Sequence, residues 1–271
     1  MTNRLLKVNN ISYSYNSNVI LENISFEIEN NTMNACLCPN NCGKTTLIRL
    51  LSGIDELKDG NVTLDGINLD KDSFSEYQLE VGTVLDDIDN QFICDKVNDE
   101  LKYPLINLGI SDKEIQNRLD VIVPILKLSL ILGKDILRLS YYEKVRVLVA
   151  ASIIHLPKLL LLDDVFRFLN EKEKKELFSM IKSIKTKLGM TVLFTTSNLN
   201  DTKECDNILV MNNGFIVMND TFDNIVINDN ELSKMGIEIP LMIDLSRKLQ
   251  FYNLIDKLYY DPDKVVDKLW K

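Results

Sequence analysis

Apolar and polar positions alternate with a period near two over residues 8–15 and 24–28, with Asn and Ser between them. That pattern predicts a pair of antiparallel, hairpin-like edge strands. A wholly apolar run at 35–37 follows, and after a polar stretch Leu47, Ile48, Leu50 and Leu51 recur with helical spacing until Gly53. Gly60 and Gly66 bracket a further strand, and residues 81–85 form another short one before the polar stretch 86–91. From 94 to about 137 apolar residues return at three- and four-residue spacing, punctuated by Gly109 and Gly133, which predicts helices. Ser111 with Glu114 reads as a capping box for the helix carrying Ile115, Leu119 and Ile122.

A strongly apolar helix opens at residues 139–142, runs to about His155 and is ended by Pro157. Residues 158–162 then form a continuous apolar strand closing on Asp163 and Asp164, as a parallel strand buried on both faces does. An amphipathic helix over 171–188 stops at Gly189, and residues 191–195 are the next buried strand. Residues 208–211 and 215–218 form a hairpin across Asn212, Asn213 and Gly214. Beyond Thr221 short helices with Pro240 and Pro262 replace the strand signal. Strands alternating with helices predict an α/β sheet with antiparallel edge strands. The expected organisation is one domain over 1–220, with a helical insert at about 92–155, and a small, mostly helical C-terminal extension over 221–271.

Composition narrows the partners. With 45% hydrophobic residues in 271, a large core is available. A net charge of −9 supplies no basic field for nucleic acid, so none is expected as a partner. Five cysteines, at 36, 38, 42, 94 and 205, show no disulfide framework and no metal spacing, which suits a reducing compartment. The first ten residues lack a secretory pattern. The longest apolar stretch, 121–132, contains Pro124 and Lys127 and is too short to span a bilayer.

The chemistry centres on residues 38–46, CPNNCGKTT, between the apolar run and the helix. A strand, a tight loop and a helix opening at Gly-Lys-Thr is the phosphate-binding P-loop arrangement. Amides of Asn40, Asn41, Cys42 and Gly43 would form an anion nest, with the helix N-terminus adding partial positive charge. Lys44 would meet the phosphates, while the hydroxyls of Thr45 and Thr46 would serve Mg²⁺ and phosphate. Cys38 stands where the motif wants glycine. The plain alternative is a helix that merely starts after a core strand. Asp163 fits the strand-end role of assisting the metal, and Asp164 that of polarising the attacking water; the alternative is that both cap the next helix. Tyr13 and Tyr15 lie upstream, where an aromatic ring could stack on adenine or simply pack a sheet face.

The order of P-loop, helical insert, LSYY helix start, LLLLDD strand and Thr-rich strand end resembles an ATP-binding cassette (ABC) ATPase. Residues 88–110 and 236–249 are similar to segments of the ATPase subunits of energy-coupling factor (ECF) importers. The resemblance covers nearly the whole chain and implies a P-loop NTPase fold. It implies Mg²⁺ and ATP as cofactors, and a second ABC ATPase subunit, identical or different, facing this one head to tail. It also implies a transmembrane transporter component, and so a cytoplasmic location on the inner face of the membrane. Carried over by motif, Lys44, Thr45 and Thr46 bind phosphate and Mg²⁺, Asp163 assists the metal, and Tyr15 is the better adenine-stacking candidate.

The chain departs from the family pattern at several positions. The signature reads Leu139, Ser140, Tyr141, Tyr142, Glu143, with two phenolic rings in place of the glycines that let backbone approach a γ-phosphate. Asp86 holds the Q-loop glutamine position, where it would either help bind Mg²⁺ or repel phosphate. Asp164 holds the catalytic glutamate position, one methylene short. Asn170 replaces the D-loop aspartate, and Ser197 holds the switch histidine position. The single histidine, His155, reads as a helix-end residue. A carboxylate misplaced by about 1 Å costs on the order of 100-fold, and loss of a proton-handling group roughly 10²–10⁴. Two readings follow. One is an ECF-type importer subunit that binds Mg-ATP and turns it over weakly; the other is a catalytically inactive pseudo-ATPase acting as a structural or nucleotide-sensing partner. A non-transport ABC role and a P-loop kinase fit the pattern less well.

Overall fold

A computed structural model describes residues 4–270. Strands β1 (Arg4–Tyr15) and β2 (Asn18–Glu29) pair antiparallel, with Asn10 and Asn23 in left-handed conformation where the register shifts. They are longer than the alternation alone predicts, because such bulges break the period without ending the ladder. β3 (Met33–Leu37) leads into α1 (Lys44–Leu51). β4 (Asp59–Leu64) and the short β5 (Ile67–Asn68) complete a four-stranded sheet in the order β2-β1-β4-β5. α2 (Phe74–Leu79) precedes β6 (Val81–Val84).

The predicted helical insert contains α3 (Val97–Asn107), α4 (Asp112–Ile125) and α5 (Tyr141–Ile153). Ser111 is the N-cap of α4, but its side chain makes no capping bond, so the expected box with Glu114 does not form. Glu114 is instead drawn to Arg118 one turn on and to Asn117. β7 (Leu159–Leu162), α6 (Glu171–Leu188), β8 (Thr191–Thr196), β9 (Asn207–Asn212) and β10 (Phe215–Asp220) follow. The last two turn at Asn213 and Gly214, both at positive φ, as a tight hairpin demands. α7 (Phe222–Val226), α8 (Asp229–Lys234), α9 (Leu241–Phe251) and α10 (Pro262–Leu269) end the described chain.

The larger sheet runs β10-β9-β3-β8-β7-β6, parallel except for β10. Both its faces are covered. Leu160, Leu162, Val192 and Phe194 point into one apolar cluster with the helices of the insert and α6, whereas Leu159, Leu161 and Leu193 join α1 and the smaller sheet. That two-sided burial is why β7 is wholly apolar. A third cluster packs α7, α8 and α9 onto Ile208 and Val210 of β9. No described helix is long and apolar enough to cross a membrane.

Candidate functional site

The C-terminal ends of β3, β7 and β8 meet beside the start of α1, the place where open parallel sheets bind ligands. Backbone demands explain part of the loop's composition. Gly43, the N-cap of α1, takes φ 102°, and a Cβ there would come within 2.8 Å of Leu21. Asn41 takes φ 62°, which asparagine tolerates where the motif has glycine. Cys38 stays outside the left-handed region, so exchanging glycine for cysteine there carries no backbone penalty.

Side chains converge on one corner. The Lys44 ammonium donates to the Cys38 carbonyl at 3.3 Å and lies 3.7 Å from the Asp164 carboxylate, both groups buried. Asp163 is fully buried at the tip of β7. Its Oδ1 accepts from the Thr195 hydroxyl at 2.6 Å, and that hydroxyl accepts from the Asp164 amide at 2.9 Å. Burial pushes the Asp163 carboxyl up, against the hydroxyls of Thr195 and Thr45 that hold it down. Its Oδ2 is buried without a hydrogen-bond partner among the described residues. An uncompensated carboxylate oxygen next to a threonine hydroxyl is a hard-oxygen donor set that fits Mg²⁺, which keeps most of its shell for water and phosphate. Asp164 adopts φ 48°, a conformation that aspartate tolerates better than most residues.

Tyr15 reaches the same helix. Its hydroxyl donates to Asp55 at 3.0 Å, Asp55 holds Arg49 of α1 with two bonds, and the ring sits edge-on to Tyr13. Burial, then Asp55, raises the Tyr15 phenol. Asp86, just past β6, is exposed and near enough to raise both Asp163 and Tyr141. Ser197 follows β8, half-buried, and among the described residues its hydroxyl makes no hydrogen bond. His155 is half-buried beyond α5 with its pKa lowered by desolvation, at the Val81 end of the sheet, opposite to the loop.

The signature positions have local duties. Ser140 caps α5 by accepting from the Glu143 amide, and the Glu143 carboxylate accepts from the Ser140 amide: a complete capping box. Tyr142 is anchored on α6 through Glu176, with the Arg146 guanidinium 4.6 Å from its ring centre. Tyr141 packs edge-on against Phe168, its phenol pushed up to about 12 by burial and then by Asp164 and Asp86. Of the two rings, Tyr142 is tied back, and Tyr141 stands at the helix start with the exposed Phe168. Asn170, at the D-loop aspartate position, caps α6 and forms a box with Glu173; neither Asp163 nor Asp164 caps it.

Three features escaped the sequence. Thr195 was legible only as a strand end, yet it orients both aspartates. Gln91 accepts from the Leu85 amide and donates to the carbonyls of Leu85 and Asp87, clamping the loop that carries Asp86. Its signal was the DNQ run in the importer-like segment. Most directly, the expectation of unpaired cysteines is corrected: the loop folds back so that the Cα atoms of Cys38 and Cys42 are 6.4 Å apart and their sulfurs are joined. Cysteines four apart reveal no such pairing until a turn brings them together.

A model of the ABC transporter family matches residues 21–167. Over its whole length the chain is 30% identical to the energy-coupling factor transporter ATP-binding protein EcfA1 of Streptococcus agalactiae, covering 98% of that protein. It is 28% identical to EcfA1 of Streptococcus mutans, again over 100% of this chain and 98% of the relative. Among solved structures, cbiO1 of Clostridium perfringens, part of the ABC transporter complex cbiONQ, superimposes with a TM-score of 0.78 at 24% identity, over 90% of this chain and 98% of that one. An ATP-binding subunit of an ABC transporter does so with a TM-score of 0.72 at 22% identity, over 91% and 99%. The chain belongs to the ABC transporter family.

Proposed function

We propose that this chain is an ATP-binding subunit of an ECF-type ABC importer. It binds Mg-ATP at the 38–46 loop, works beside a second ABC ATPase chain, and docks on a transmembrane component at the cytoplasmic face of the membrane. Full-length similarity to EcfA1 proteins supports the assembly. The observation that carries nucleotide binding is the buried Asp163 oxygen left unsatisfied near Thr45, next to the Asp164 that Lys44 approaches. A buried carboxylate oxygen without a partner is costly, and a bound cation compensates it.

In this reading the amides of Asn40 to Gly43 and the hydroxyl of Thr46 line the phosphates. Lys44 leaves Asp164 for the β- and γ-phosphates, and Tyr15 offers its ring to adenine. Thr45 and Asp163 would hold Mg²⁺, with Asp86 close by. That ion neutralises phosphate charge when bound. Release of Lys44 frees the Asp164 carboxylate to orient water, but its short side chain and the unpartnered Ser197 leave that step poorly equipped. Turnover is therefore slow while binding survives.

A second reading, an inactive partner of an active ATPase, is favoured by the signature. Ser140 and Glu143 are engaged with each other there, and Tyr141 and Phe168 cover the helix start. Mg-ATP binding and phosphate release, measured side by side on the chain alone and with a candidate second ABC ATPase chain, separate the two. Phosphate release that vanishes in Lys44→Ala supports the slow enzyme, and tight binding with no release supports the inactive partner. Purification without any integral membrane protein attached counts against both.

A further inference from the structure

The paired cysteines bracket the phosphate loop itself. Cys38 ends the backbone that leaves β3, and Cys42 directly precedes Gly43, the N-cap of α1. Pro39, Asn40 and Asn41 form the arch between them, with both asparagines exposed. The cysteines lie beneath that arch: Cys38 is fully buried and Cys42 is 7% exposed, packed among the residues that surround α1. A Cα separation of 6.4 Å is within the range a disulfide spans without backbone movement. The other cysteines differ. Burial pushes Cys36 up to about 12, and also raises Cys94 and Cys205, so each resists forming the reactive thiolate. Cys42 instead directly precedes the N-cap of α1, with a second cysteine within disulfide reach.

We propose that Cys38 and Cys42 form a reversible thiol–disulfide site inside the phosphate-binding loop, exchanging with low-molecular-weight disulfides, and that the closed form holds the loop ready for nucleotide. The second half rests on the nucleotide reading above. The exchange balances. The Cys42 thiolate attacks one sulfur of a small disulfide, forming a mixed disulfide and releasing one small thiolate. Cys38, giving its proton to that thiolate, attacks the Cys42 sulfur, forms the bond across the loop and releases the second small thiolate, which takes up the proton that Cys42 had lost. Two protein thiols are oxidised by two electrons, and the small disulfide is reduced to two thiols. The bond exists with the loop already in its cradle shape: Gly43 and Asn41 are left-handed and the Cys38 carbonyl accepts from Lys44. A bridge beneath the arch therefore preserves the nest and removes alternative conformations of a loop that has asparagine and cysteine where the motif has glycine. Pre-organisation of this kind favours binding.

The test uses the full chain, equilibrated with oxidised glutathione or fully reduced, then alkylated and mapped by peptide mass. We expect loss of two hydrogens across Cys38 and Cys42, with Cys36, Cys94 and Cys205 still alkylated. Five free thiols, a stable glutathione adduct or pairing with another cysteine overturns the site. A fluorescent ATP analogue with Mg²⁺ then titrates both forms. The oxidised form is expected to bind about threefold to tenfold more tightly, and Cys42→Ser to lose any response to oxidant whatever its own affinity. Equal or weaker binding by the oxidised form overturns the locking role. No binding by either form refutes the nucleotide reading and the locking role together, while a mapped Cys38–Cys42 bond stands on its own.

Discussion

The corner where β3 and β7 end and the corner where α5 begins treat their polar groups in opposite ways. At the first, Asp163 keeps one buried oxygen without a partner among the described residues, and Lys44 rests 3.7 Å from Asp164 in a loose pair. At the second, Ser140 and Glu143 satisfy each other, and Tyr142 is bound to Glu176 under Arg146. Tyr141 has traded backbone access for an aromatic contact with Phe168, even at the cost of a buried hydroxyl with no partner. A site that expects a ligand leaves valency open; one that has turned inward closes it with its own side chains. Among the described residues, the first corner keeps an unsatisfied buried carboxylate oxygen, whereas the capping groups of the second bond to each other.

The largest effect should come from the receptive corner. Lys44→Ala removes a charge-assisted phosphate contact, so affinity for Mg-ATP is expected to fall by about 100-fold in an equilibrium titration. An unchanged affinity would mean that the corner does not hold phosphate. The closed corner is sharpened by reopening it. If the proposed pairing with a second ABC ATPase chain holds, Tyr141→Gly combined with Tyr142→Gly in the reconstituted pair should raise phosphate release about tenfold by restoring close backbone approach. No gain would show that the rings are not what limits turnover.

Cap removal separates architecture from ligand. Asn170→Ala should cost about 1 kcal/mol of stability, read as a drop of about 2–4 °C in Tm. Mg-ATP affinity should stay as it was, because Asn170 serves the α6 amides. The smallest effect concerns protons. Burial raises the Asp163 carboxyl in the folded chain, so between that value and about 4, the ordinary range, the folded state holds more protons than the unfolded. Stability from this group therefore rises as pH falls through that window. In ligand-free chemical denaturation, Asp163→Asn should lose that component of the pH dependence, and a wild-type curve identical to that of the variant would contradict it.

The local patterns carried far in this molecule. The P-loop, the wholly apolar β7 ending on two aspartates, the hairpin at Asn213 and Gly214, and the α/β class with its antiparallel edge are all dictated by residues within a few positions of each other. Spacing along the chain determines them, because turn geometry, helix period and two-sided burial are short-range demands. One local reading failed: Ser111 and Glu114 have the spacing of a capping box, but Arg118 competes for the same carboxylate. The boxes that form are at Ser140 and Asn170; at the first, Glu143 keeps one oxygen on the Ser140 amide while Lys134 takes the other.

What only the tertiary structure decided are the contacts that spacing along the chain does not encode. Thr195 reaches Asp163 because β8 lies beside β7, and Tyr141 meets Phe168 because α5 and the end of β7 converge. Gln91 clamps the Asp86 loop, and the arch of the phosphate loop brings Cys38 onto Cys42. The sequence by itself determined the elements that carry these residues. Strand order and loop curvature decided which side chains meet, since a hydrogen bond or a disulfide depends on separation in space, and separation along the chain does not contain it.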